Sequence, residues 1–249
     1  MSSHSPVVHS PPKKAIIFLL EGVLLLDRKD TDPPASVMSW LSALRRYVKK
    51  NPGLETFLVT GHSVEHCRSL MEGTGLSSFF SEDRIWAVDE DYLSSRDPVD
   101  RSRYEEQCRA DPYHRDDYFR QVKLMEWMEK KGVSPDQVVL VGHDYWSDGF
   151  YTRRFSKVDI AFVEGCLSSR GEPPSEKISG LWYVSRKFSD LKKIMEGKAP
   201  VPNYGPLDAF INITLSEQLF GGKGVPSLKR IVIQRKKDGE LGDVVHLGE

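Results

Sequence analysis

The chain's regular pattern begins with an unbroken apolar run, Ala15-Ile16-Ile17-Phe18-Leu19-Leu20, that ends at Glu21-Gly22. Continuous apolar character over so short a stretch predicts a strand buried on both faces, as in a parallel sheet. The same texture returns at Thr56-Phe57-Leu58-Val59, Ile85-Trp86-Ala87-Val88, Val138-Val139-Leu140-Val141, Ile160-Ala161-Phe162-Val163 and Leu181-Trp182-Tyr183-Val184. Between the first two strands, Met38, Leu41, Leu44 and Val48 recur at helical spacing, and Asn51-Pro52-Gly53 stops the helix. Further helices are predicted over residues 63–72, 118–131, 146–155 and 188–195. Alternation of strand and helix predicts an α/β fold: a mainly parallel, doubly wound sheet with helices on both faces. Residues 89–117 are highly charged and show no clear period, so they read as a surface loop or a small insertion.

The two ends have a different texture. Residues 1–13 are rich in Ser, His and Pro, lack the charged and apolar regions of a signal peptide, and read as a disordered leader. The domain itself spans residues 14–197. Beyond Gly197, Pro200, Pro202, Gly205 and Pro206 make a linker-like break into an extension over residues 198–249. Within it Leu207, Phe210, Ile211, Leu215 and Leu219 mark one face of a helix, Gly221-Gly222-Lys223-Gly224 reads as a flexible turn, and Ile231-Val232-Ile233 reads as a strand. That apolar face has two readings, docking onto the sheet or joining two copies into a homo-oligomer.

Charge narrows the classes of partner. Among 249 residues the formal net charge is −1, so no global field favours nucleic acid or an anionic membrane. The local runs Lys229-Arg230 and Arg235-Lys236-Lys237 read as solvated strand edges, without interleaved aromatics that would stack on bases. Cys67, Cys108 and Cys166 are odd in number and far apart, which points to a reducing compartment, the cytoplasm, and not to a disulfide framework or zinc site. No apolar run approaches bilayer-spanning length.

In doubly wound sheets ligands sit beyond the carboxyl ends of the strands. Three such ends are unusual here: Phe18-Leu19-Leu20-Glu21-Gly22, Val59-Thr60-Gly61-His62-Ser63, and Gly142-His143-Asp144-Tyr145-Trp146-Ser147-Asp148. Their order and separation resemble motifs one, two and four of the haloacid dehalogenase superfamily, over about residues 14–195. The resemblance implies a Rossmann-like fold and a phosphohydrolase site. In that family one aspartate attacks the phosphoryl group, and a second, two residues on, is the general acid and base. A Thr or Ser and backbone N–H groups hold the phosphoryl oxygens, a Lys or Arg neutralises charge, and motif-four aspartates hold Mg²⁺.

Carried onto this chain, the resemblance implies phosphate binding by Thr60 and Gly61, with Arg120 or Lys123 as the third-motif cation. It implies Asp144 and Asp148 as ligands for Mg²⁺. The departures concern the chemistry itself. Leu19 stands at the nucleophile position, Glu21 at the acid/base position, and His143 where the first motif-four aspartate is common. Leucine offers neither a nucleophilic atom nor a metal ligand. The reading that follows is a protein of this fold without aspartyl-phosphate chemistry, acting by binding a phosphorylated small molecule or a protein. Two alternatives stay open: a divergent Mg²⁺-dependent phosphohydrolase that activates water, and a structural subunit assembling through its extension. Other features have milder readings. His62 and His66, four apart, read as surface histidines, and Tyr145-Trp146 lies where it would touch a ligand or pack a helix. No large cap fits after the first motif, and residues 89–117 would form at most a small cover.

Overall fold

The structure, a computed structural model, describes residues 9–25, 33–110, 118–167, 182–184, 187–202, 204, 231–235 and 241–246. It divides into two compact units, Met1–Tyr204 and Gly205–Glu249. In the first, six strands form one sheet: β1 (Ala15–Leu19), β2 (Glu55–Thr60), β3 (Ile85–Ala87), β4 (Val138–Asp144), β5 (Asp159–Leu167) and β6 (Trp182–Val184). Their order across the sheet is β3-β2-β1-β4-β5-β6, and every pairing is parallel. The chain thus winds outward from β1 in one direction and then from β4 in the other. The doubly wound α/β fold predicted from the apolar runs is the fold observed. The point of reversal lies between β1 and β4, where such sheets open a crevice.

Register places the helices. Ile17 pairs with Phe57, and Phe18 pairs with Leu58, so each pair shares one face of the sheet. Trp40 of α1 (Ala35–Lys50) meets Phe18 edge-on at 5.3 Å, and Trp127 of α5 (Tyr118–Lys131) meets Phe57 at 5.0 Å. These two helices therefore cover opposite faces. On the α1 side lies α7 (Phe188–Met195), through Tyr47 and Phe188. On the α5 side lies α6 (Tyr151–Phe155), where the Gln121 amide and the Thr152 and Ser156 hydroxyls bond to one another in the interior. All five residues of β1 are buried, as a central strand between two helical layers requires. The helix α2 (Val64–Thr74) follows β2, capped by the Ser63 hydroxyl, which accepts the His66 N–H.

Of the two readings of the charged stretch after β3, a loop or a small insertion, the described part is a helical insertion. Helices α3 (Glu90–Ser95) and α4 (Pro98–Ala110) fill it, while residues 111–117 lie outside the described set. Asp89 caps α3 through the Tyr92 N–H, and Asp97 accepts the Val99 and Asp100 N–H groups at the start of α4. Arg, Glu and Gln are good helix formers with no preference for an apolar face. A helix built from them has no hydrophobic period to read. Arg96 ties this pair down by bonding Asp100 and, at 2.7 Å, Glu126 of α5.

Residues 9–13, placed before the fold on sequence grounds, pack against it. His9 bridges Pro200, and the Lys13 N–H bonds the Met195 carbonyl. The Lys13 ammonium is fully buried, donating to Asp159 and to the Asp136 carbonyl, with the Trp182 ring 5.1 Å away. Burial pushes the Lys13 pKa down, against the pull of Asp159, and pushes the Asp159 carboxyl up, against the pull of Lys13. Tyr204 closes the unit, its hydroxyl 2.7 Å from the Ile160 N–H. In the second unit β7 (Ile231–Arg235) and β8 (Leu241–His246) form an antiparallel pair. The helix face at Leu207 to Leu219 and the glycine turn at Gly221 to Gly224 lie outside the described residues.

Removing one member of a buried ion pair costs roughly 3–5 kcal/mol. Lys13→Met is accordingly expected to lower the unfolding free energy by roughly 3 kcal/mol. Urea denaturation followed by circular dichroism measures it, and an unchanged midpoint would show that the leader contributes nothing to the domain.

Candidate functional site

The tips of β1, β2 and β4 meet at the sheet's reversal point. Leaving β1, the chain turns at once. The Leu20 N–H bonds the Val59 carbonyl, and the Leu24 and Leu25 N–H groups fold back onto the Leu20 carbonyl at 3.1 and 2.9 Å. Gly22 has φ +79, a left-handed conformation that costs a side-chain-bearing residue free energy. Leu19 ends the strand in register with Val59, only 5% exposed, and belongs to the apolar core. No oxygen is available on that side chain to attack a phosphoryl group or to bind a metal.

Glu21 points elsewhere in the site. The Thr60 hydroxyl donates to its Oε1 at 2.7 Å, and His62 Nε2 lies 3.2 Å from the same oxygen. The Thr60 oxygen also accepts the His62 N–H at 3.1 Å, fixing the turn between β2 and α2. Thr60 is buried and Gly61 exposed, with nothing within 4 Å of the space above Gly61. His62 is a part of this cluster that sequence reasoning missed. Its spacing to His66 suggested only a helix surface, whereas its contact with Glu21 depends on two strands being neighbours. The rings of His62 and His66 lie 4.6 Å apart, and His66 itself is exposed.

The β4 tip is organised by Asp148. After β4 the chain forms a wide turn, Tyr145–Phe150, before α6. That turn carries the Asp148 side chain back to the end of the strand it has left. One carboxylate oxygen, Oδ2, accepts the N–H groups of His143 and Asp144, each at 2.8 Å, and lies 3.3 Å from His143 Nδ1. The other, Oδ1, accepts Arg120 Nη1 at 3.1 Å. Gly142 makes this fold-back possible, since a Cβ there would stand 2.5 Å from Asp148 Cβ. Burial works against a charge on Asp148, but His143, Arg120 and the Asp144 N–H outweigh it and hold the carboxyl below its ordinary pKa. Burial likewise opposes charge on His143, and the bond to Asp148 outweighs it, lifting the imidazole above its ordinary value.

Two candidate cations share α5 and part company in space. Arg120 reaches Asp148 at the site. Lys123 donates to the Ala87 carbonyl at 3.1 Å and sits 4.6 Å from the Tyr92 ring, with burial pushing its pKa down. Asp144 ends β4 and is buried. Tyr145 is fully buried and stacked on Phe162, so it packs the core and does not line the site. The side chain of Trp146 lies outside the described set.

Magnesium ions need several hard oxygen ligands converging on one point. Position 19 offers none, Glu21 is engaged by Thr60 and His62, and both oxygens of Asp148 are engaged by protein donors. Among the described residues no group of three or more His, Cys, Asp or Glu side chains converges as a metal site would require. The residues at the strand tips do not fit the ion that the resemblance implied.

No protein-family model matches the chain, and no curated protein matches it. Solved structures do. One is a conserved haloacid dehalogenase-like protein of unknown function from Agrobacterium tumefaciens, at 13% identity, covering 74% of this chain and 97% of that one with a TM-score of 0.40. Another is the cobalt-bound deoxy-D-mannose-octulosonate 8-phosphate phosphatase from Haemophilus influenzae, at 12% identity, 75% and 90% coverage and a TM-score of 0.41. A third is the 4-nitrophenylphosphatase from Thermotoga maritima, at 10% identity, 74% and 97% coverage and a TM-score of 0.47. Each is similar to this chain in fold. No helix among the described residues is long and apolar enough to cross a membrane.

The close seat of His143 on Gly22 yields a test. A methyl group at position 22 would stand 2.2 Å from the His143 ring and push it aside, and the left-handed backbone would add strain. Gly22→Ala is expected to cost about 2 kcal/mol or more. Adding His143→Ala should return part of that cost, so a double-mutant cycle in urea should show coupling between the two positions. Strict additivity would mean that the ring does not rest on Gly22.

Proposed function

We propose that this chain is a haloacid dehalogenase-like protein that has given up covalent phosphoryl transfer and acts by binding a phosphorylated ligand or a protein partner. The observation that carries the reading is Leu19: at the nucleophile position stands a buried apolar side chain, packed into the core. Covalent catalysis needs the reacting atoms held about 3–3.5 Å apart and in line. The nearest carboxylate along the chain, Glu21, is bonded to Thr60 and paired with His62, so it is not poised as a substitute. Arg120, through its contact with Asp148, is the better supported third-motif cation, and Lys123 serves to hold the α3 region. Thr60 and Gly61 remain the best supported anion-contacting residues, since a buried hydroxyl and an open backbone turn lie together at the β2 tip. A cytoplasmic location accords with the buried free thiol of Cys67, which burial pushes up to about 11 and so keeps protonated and unreactive.

The deciding experiment is a phosphatase screen of the full chain against a broad panel of phosphate esters, with and without Mg²⁺. No turnover above buffer is expected. Turnover that disappears in Thr60→Ala would overturn the reading and restore an enzyme using activated water.

A further inference from the structure

A buried carboxylate has to be compensated, by a metal ion or by the protein itself. Asp148 is compensated by the protein. The N–H groups of His143 and Asp144 donate to it at 2.8 Å and Arg120 Nη1 at 3.1 Å, and the His143 imidazole stands at ion-pair distance, Nδ1 3.3 Å away. The His143 side chain also packs against the turn after β1. Its ring packs against Gly22, where an added Cβ would stand 2.2 Å from it and have to displace it. The imidazole therefore spans from the Asp148 carboxylate at the β4 tip to the turn after β1. It joins the two strand ends between which the crevice opens.

We propose that His143 is a resident substitute for a divalent cation, a positioning residue whose ring bridges Asp148 to the β1 turn, so that the strand-tip site binds its ligand without Mg²⁺. The proposal rests on the reading of the chain as a binding protein of this fold. Four physical facts support it. The ring occupies the space against Gly22. Asp148 has both oxygens engaged, so a metal would have to displace donors from a carboxylate that is only 1% exposed. A dication beside that carboxylate would also face the Arg120 guanidinium at close range, and like charges repel strongly where water is scarce. Leu19, on the adjoining strand end, offers no compensating oxygen.

Calorimetric titration of Mg²⁺ into the full chain tests this, with the melting temperature followed in Mg²⁺ and in EDTA. Wild type should give no saturable heat and the same melting temperature in both. His143→Asp, with its fold checked by circular dichroism, should gain saturable Mg²⁺ uptake and a melting temperature that rises with Mg²⁺. Saturable stoichiometric binding by wild type would overturn the proposal, as would a folded His143→Asp that takes up no more Mg²⁺ than wild type. Should that variant not fold, the wild-type titration decides alone. Mg²⁺ binding without phosphatase turnover would remove this inference and leave the functional reading standing. Turnover in EDTA would do the reverse.

Discussion

A single carboxylate, that of Asp148, holds the strand-tip region together. It is buried, it carries charge, and it accepts hydrogen bonds from the backbone at the end of β4 and from Arg120 on α5, with the His143 imidazole at ion-pair distance. Such a group is costly inside a protein unless every lone pair is met. Here the need to meet them sets the local geometry. The wide turn after β4 brings Asp148 back, Gly142 leaves room for it, and α5 is oriented so that Arg120 reaches it. The strand tips at the reversal point are thereby tied together by an internal ion network.

Around that network the site divides into two poles. On one side Thr60, Glu21 and His62 form a hydrogen-bonded group at the tips of β1 and β2. On the other, Arg120, His143 and Asp148 form a charge cluster on β4 and α5. Between them Leu19 is apolar and buried. Covalent phosphoryl transfer needs a nucleophile in that middle position, acting with groups from both sides. The two poles are held by their own hydrogen bonds and ion pairs, and Leu19 between them offers no nucleophilic atom.

Much of this was legible from residues alone, and the physical reason is burial. Strands covered on both faces write themselves as short apolar runs, so β1, β2 and β4 stood out, and their polar ends marked the crevice. Thr60 and Glu21 were readable because each lies at the end of a strand whose position the pattern predicts. What lay beyond reach depended on contacts without sequence periodicity. The helices α3 and α4 are stabilised by caps and charge pairs, which leave no hydrophobic period. Lys13 looked like the end of a polar leader, because its partner Asp159 is remote in sequence. His62 became part of the site through strand adjacency, and Arg120 parted from Lys123 through helix orientation, which no spacing discloses.

The seating of Leu19 bears on the history of the site. Once a leucine at this position packs with Ile17, Val59 and their neighbours, the surroundings adjust to an apolar guest. An aspartate returned there would enter a dry, already filled space with no cation set aside for it, and the desolvation penalty would fall on folding before any activity could be recovered. On the reading proposed above, a leucine at the nucleophile position would be self-reinforcing. Under that reading each further packing adjustment would deepen the barrier to reversal.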